Sequence, residues 1–225
     1  MSNLVYENVL ERLREERGRL SITKADMSRY LHMDQSNYRK AELGQYRRFS
    51  YFEVKSMSDL GINVNYYIYT GKVKKVITLD FIEKLSVNRL KSILQIIYTI
   101  VELSYKEGFN QQYKALLEEL KYIFFIKQNV NPSDIFLTVR RLKGYTQIKM
   151  ADMIGVDVKK LRDLENGKKL PDSEIISKMY EVFKILPVVM IGTKNCMLDT
   201  ILYILDEIKK EDREKIVDII KLLFA

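Results

Sequence analysis

The chain has 225 residues but only one cysteine, one histidine, three prolines and nine glycines, and it lacks tryptophan. A lone cysteine excludes an intrachain disulfide and a thiolate metal cluster, and it fits a reducing compartment. His32 and Cys196 lie in different halves. No paired metal ligands, phosphate loop or nucleophile motif accompany them, so neither an enzyme nor a cofactor is expected. His32 reads as a turn residue and Cys196 as a helix-start or core residue. The most apolar run, Ile93 to Leu103, is interrupted by Gln95 and Glu102. It falls well short of the roughly 20 residues that a membrane span needs. The opening MSNLVYENVLERLREE mixes acids and bases within one amphipathic helix length, unlike a signal peptide. A cytoplasmic protein with no membrane partner is expected.

What is present fits a folded, mostly helical chain. Hydrophobic residues make up 47% and charged residues 30%, and so few helix breakers favour an all-α fold. The formal charge is +8. Lys and Arg outnumber Asp and Glu by 14 to 9 in residues 1–75, by 7 to 6 in 76–130 and by 17 to 15 in 131–225. The basic surplus therefore leans toward the N-terminal part, which suits a polyanion but does not identify one.

A repeat emerges when the sequence is shifted by 123 positions. Thr23–Gly44 falls on Thr146–Gly167: Met27 meets Met150, Asp34 meets Asp157, Arg39 meets Arg162, Glu42 meets Glu165 and Gly44 meets Gly167. The same shift lays Leu85–Ile100 on Ile208–Leu223. Periodicity and capping residues predict helices over 5–17, 23–31, 34–43, 51–60, 64–69, 79–85, 87–107 and 110–127 in the first half. In the second half they predict 133–143, 147–154, 158–166, 173–184, 197–209 and 211–224. Thr23, Asp34 and Ser50 are N-cap candidates, and Ser50 with Glu53 has capping-box spacing. Asn131-Pro132 marks the boundary between halves.

Residues 139–171 read VRRLKGYTQIKMADMIGVDVKKLRDLENGKKLP. Thr146 can cap a helix to Ile154, Gly155 can turn the chain through positive φ, and Asp157 can cap a second short helix. Met150, Ala151, Ile154, Val156, Leu161 and Leu164 supply an apolar seam between the two. This segment resembles the lambda-repressor/Cro-like (XRE) helix-turn-helix family through V-R-R-L-K-G-Y-T-Q, A-D-M-I-G-V-D and L-x-x-L-E-N-G-K-K-x-P. The first half resembles the same family through L-R-E-E-R-G at Leu13–Gly18, M-S-R-Y-L-H-M-D and Y-R-K-A-E-L-G. It departs where three extra residues separate Gly18 from Thr23, where His32 replaces the turn glycine, and where Lys24 replaces Gln147.

The resemblance implies two tandem lambda-repressor-like helix-turn-helix domains, each followed by an antiparallel pair of apolar-striped helices. The expected boundaries are 1–72, 73–130, 131–194 and 195–225. It further implies double-stranded DNA as partner and a bacterial or phage origin. In the first unit, Gln35, Ser36 and Asn37, with Arg39 and Lys40, would approach base edges. In the second unit, Val158, Lys159 and Lys160 would do so with Arg162. Lys24 and Gln147, beside helix N-termini, would hold phosphates, as would Arg47, Arg48, Lys168 and Lys169. Any single exposed Lys or Arg can equally be a solvated face, Arg39 and Arg162 can pair with Glu42 or Asp163, and Asp163 sets a negative charge on a surface meant for DNA.

Ile93, Ile96, Ile97 and Ile100, and Ile216, Ile219, Ile220 and Leu223, form wide apolar stripes. They can pack on each other within one chain or join two chains as a homodimer. Tyr66, Tyr67, Tyr69, Tyr98 and Tyr105 can line the same seam or a pocket for a protein, peptide or small effector. The expected function is a sequence-specific DNA-binding transcriptional regulator. The alternative is a protein-interaction module, such as an antagonist of another regulator, that keeps the fold and has lost base reading.

Overall fold

The computed structural model describes residues 12–45, 48–62, 64–65, 79–108, 113–114, 116–118, 120, 131–192 and 196–224. The chain forms two compact units. One comprises Met1–Val73 with Ile126–Thr193, and the other Lys74–Phe125 with Lys194–Ala225. All regular structure among the described residues is helical, and none of these helices is long and apolar enough to cross a membrane.

The first unit holds α1 (described over 12–19), α2 (Lys24–Tyr30), α3 (Gln35–Glu42) and α4 (Tyr51–Asp59). From the second half of the chain it holds α7 (Pro132–Leu142), α8 (Gln147–Ile154), α9 (Val158–Glu165), α10 (Ser173–Phe183) and α11 (Pro187–Ile191). Local chemistry sets these boundaries. Thr23 and Thr146 accept from Asp26 N and Lys149 N at the starts of α2 and α8. Ser50 and Glu53 close the expected capping box on α4. Asn131 caps α7 with Pro132 in its first turn. Asp157 caps α9 through Lys160 N at 2.7 Å. Asp34 holds the same cap position on α3 with extended backbone but no side-chain bond. The short α11 was not anticipated; Pro187 opens it and left-handed Gly192 closes it.

Four turns recur at the 123-residue shift with left-handed backbone in both copies. Ser21 (φ 54°) matches Gly144 (64°), His32 (54°) matches Gly155 (69°), Gly44 (79°) matches Gly167 (68°), and Gly61 (88°) matches Lys184 (58°). This corrects the reading of three inserted residues after Gly18. The counterpart of Gly144 is Ser21: α1 runs on past Gly18, and a non-glycine residue takes the turn. Non-glycine residues resist this conformation. His32→Gly is therefore expected to gain about 0.5–1 kcal/mol in urea denaturation. Gly155→Ala should lose about 1 kcal/mol, and backbone strain should be the whole cost, because nothing lies within 4 Å of the missing Cβ. Equal stability of each variant with the parent chain would refute this account of the turns.

The second unit contains α5 (Asp80–Glu83), α6 (Val87–Lys106), helical residues within 113–120, α12 (Cys196–Glu207) and α13 (Lys210–Phe224). Its core joins Ile93, Leu94, Ile97 and Val101 of α6 to Ile201, Ile204 and Leu205 of α12 and to Ile216 and Ile220 of α13. Tyr113 Oη donates to Asp212 Oδ2 at 2.6 Å. Ile93, Ile97, Ile216 and Ile220 are thus spent inside their own chain, so of the two alternatives these four follow packing within the chain and do not serve a dimer interface. The reason is that α6 packs on α12 and α13. Ile96 and Ile100 are half-buried, while Ile219 and Leu223 remain exposed. Tyr98 and Tyr105 are half-buried, whereas Tyr66, Tyr67 and Tyr69 lie outside the described residues. Cys196 opens α12, and burial pushes its thiol up to about 12, so it holds no reactive thiolate.

Candidate nucleic-acid interface

In the second half, α8 and α9 are joined by Gly155, Val156 and Asp157, with Gly155 in the left-handed region. Met150, Ala151, Ile154, Leu161 and Leu164 are buried where the helices meet, and Val156 is half-buried. Ile135, Phe136 and Val139 of α7 are fully buried as well. Full burial of each of these large side chains contributes about 1.5–3 kcal/mol before entropy is counted. With one side of α9 fixed in this way, Lys159 and Arg162 project into solvent.

A buried glutamate fixes the end of α9. Arg140 Nε and Nη2 donate to the two carboxylate oxygens of Glu165, the second at 3.2 Å. Arg140 Nη1 also reaches the Tyr145 carbonyl at 3.3 Å, and Gln147 Nε2 donates to Glu165 Oε2 at 2.6 Å. The first half repeats this. Arg17 Nε lies 2.7 Å from Glu42 Oε1, and Arg17 Nη1 donates to the Ile22 carbonyl at 3.0 Å. Lys24 Nζ lies 2.9 Å from Glu42 Oε2, and Tyr38 Oη donates to Glu42 Oε1 at 3.0 Å. Arg17 and Arg140 stand 123 positions apart, as do Ile22 and Tyr145, and Lys24 and Gln147. Burial alone would push the Glu42 carboxyl up. Hydrogen bonds from Lys24, Arg17 and Tyr38 outweigh it and hold the group below its ordinary value. Glu42 in turn raises Arg17, and Glu165 raises Arg140.

This geometry relocates two expected phosphate ligands. The side chains of Lys24 and Gln147 are bonded to the buried glutamates rather than free at the helix N-termini. Sequence reasoning missed Arg17 and Arg140 as the residues that hold the ends of α3 and α9. Their equal 25-residue spacing to Glu42 and Glu165 was the available signal.

The remaining candidates separate by their partners. Gln35, Ser36, Arg39 and Lys40 are exposed on α3, with Asn37 half-buried beside them. On the second helix, Lys160 is half-buried and lies 3.6 Å from Asp172. Lys169 lies 3.3 Å from Asp163, so the acid suspected of repelling DNA is already neutralised by a neighbour. Arg48 is paired with Glu174 at 2.6 Å. Arg39, Lys40, Lys159, Arg162 and Lys168 are exposed and have no ion-pair partner among the described residues. Arg47 lies outside the described residues.

A family model described as helix-turn-helix matches residues 138–188. The match spans the end of α7 and all of α8, α9 and α10, so this segment is similar to a helix-turn-helix. No curated protein and no solved structure matches the chain.

Proposed function

We propose that the chain is a sequence-specific transcriptional regulator that reads the DNA major groove with two tandem helix-turn-helix units. The reading rests on one observation above the others. Within the matched segment, α9 carries Lys159 and Arg162 exposed and unpaired among the described residues, and the same helix, turns and arginine–glutamate lock recur 123 residues earlier around α3. In this reading, Gln35, Ser36, Asn37, Arg39 and Lys40 face bases through one unit, and Lys159, Lys160 and Arg162 through the other. Arg47, Arg48, Lys168 and Lys169 border phosphates. Lys24 and Gln147 act by fixing Glu42 and Glu165, and the helix N-termini beside them offer backbone N–H groups to phosphate. The role is non-enzymatic and cytoplasmic.

A second reading is a protein-interaction module. It draws on the acid partners of Lys160 and Lys169, which leave the second unit with fewer free cations.

Site selection from random duplex DNA separates the two. The intact chain is expected to return a defined motif, and Gln35→Ala/Asn37→Ala and Lys159→Ala/Lys160→Ala should each blur one part of it. If no motif emerges at moderate salt, the regulator reading fails and the same helices should be tested against protein partners.

A further inference from the structure

Inside the first unit, the two halves meet through positions that are each other's counterparts. Asn65 Oδ1 accepts from Val188 N at 2.9 Å, and residue 188 is residue 65 shifted by 123 positions. Phe49 O accepts from Ser173 N at 2.9 Å, and Phe49 N donates to Ser173 Oγ at 3.0 Å; Ser173 is the counterpart of Ser50. Arg48 pairs with Glu174, the counterpart of Tyr51. One step forward along the first segment is therefore one step back along the counterpart of that segment. Two copies of one segment that run past each other in opposite directions, together with a residue that meets its own equivalent further along the chain, are the contacts a local two-fold axis produces. Tyr51 Oη, buried, adds a bond to the Ile191 carbonyl at 2.8 Å.

The scaffold is self-complementary, but the readers it carries are not. Counterpart positions on α3 and α9 are Gln35 and Val158, Ser36 and Lys159, Asn37 and Lys160, and Lys40 and Asp163; only Arg39 and Arg162 agree. Gln and Asn suit adenine edges, Lys and Arg suit guanine, and an apolar residue suits the thymine methyl. A two-fold pair of identical helices reads a palindrome. A two-fold pair with different residues at four of these five positions does not.

We infer that one chain is a covalent pseudo-dimer whose operator is non-palindromic. A single copy occupies two dissimilar half-sites about one helical turn, roughly 34 Å, apart. This rests on the regulator reading above and adds the form of the DNA target. Joining both readers in one chain also removes the requirement for dimerisation before binding, so occupancy should rise with a Hill slope of about 1, where two chains binding together would give a steeper rise.

The test uses the full chain on the duplex that site selection returns, with the mass of the complex measured by native mass spectrometry and affinity by titration. The expected result is one chain per duplex and a motif of two unlike parts. Replacing either part by an inverted copy of the other should lower affinity at least about 10-fold, since each wrong base pair costs an appreciable fraction of specific binding. Gln35→Ala/Asn37→Ala should change preference in one part only. A palindromic motif carrying two chains, or a motif with a single half-site, overturns the inference and leaves the regulator reading standing. Absence of any motif overturns both.

Discussion

Arg140→Ala is expected to lower the stability of the unit holding α7–α11 by about 3 kcal/mol, read as a shift in the urea midpoint at pH 7. The substitution leaves the Glu165 carboxylate, whose side chain is 4% exposed, with Gln147 as its remaining side-chain donor among the described residues. An unpaired buried charge costs far more than a surface ion pair gains. Arg140→Lys should fall between, because an ammonium cannot span both carboxylate oxygens as the guanidinium does. Arg17→Ala should cost less, about 1–2 kcal/mol, since Lys24 and Tyr38 still hold Glu42. The sign of the pH dependence follows from the carboxyl. The Glu42 group titrates below its ordinary value in the folded chain, so its contribution is complete above the unfolded carboxyl pKa of about 4.3 and is lost as pH falls through the lower folded value. Arg17→Ala should therefore narrow the stability gap between pH 7 and pH 3. A loss under about 1 kcal/mol for Arg140→Ala would mean that the lock holds nothing.

What was legible in the sequence follows from which interactions are local. Caps act over three residues, so Thr23, Ser50, Thr146 and Asp157 marked helix starts correctly. Gly155 announced its turn because glycine is the residue that such backbone favours. Ser21 and Lys184 adopt the same backbone without announcing it, whereas His32 reads as a turn residue because it stands where the other half has Gly155; residue type alone misplaced the first turn by three positions. Glu42 and Glu165 coincide at the 123-residue shift, but apart from Tyr38, four residues from Glu42, the side chains that hold them lie 18 to 25 residues away, beyond the reach of any local pattern. That is why Lys24 and Gln147 were placed at phosphates. The apolar stripes of α6 and α13 were visible, but a stripe does not say what covers it, and Ile93 and Ile216 look the same in sequence whether the partner is another helix of the chain or another chain.

The partner of each cation, which sequence could not supply, yields the sharpest expectation for binding. Lys159→Ala/Arg162→Ala is expected to lower affinity for the selected duplex about 100-fold. Each removes a cation that is exposed and without an acid partner among the described residues, and a good base contact contributes about 1–3 kcal/mol, with about 1.4 kcal/mol per factor of ten. Removing Lys169 and Asp163 together, which takes away an ion pair 3.3 Å apart and leaves net charge unchanged, should alter affinity less than about 3-fold. Asp163→Asn alone should raise it a few-fold by releasing Lys169 toward phosphate. The salt dependence separates how the free cations act. If Lys159 and Arg162 meet phosphates, the double variant should flatten the slope of log affinity against log salt by about 2 and weaken all sequences alike. If they meet bases, the slope should hold and discrimination at one part of the motif should fall. A loss under about 3-fold for the double variant would remove α9 from the DNA surface altogether.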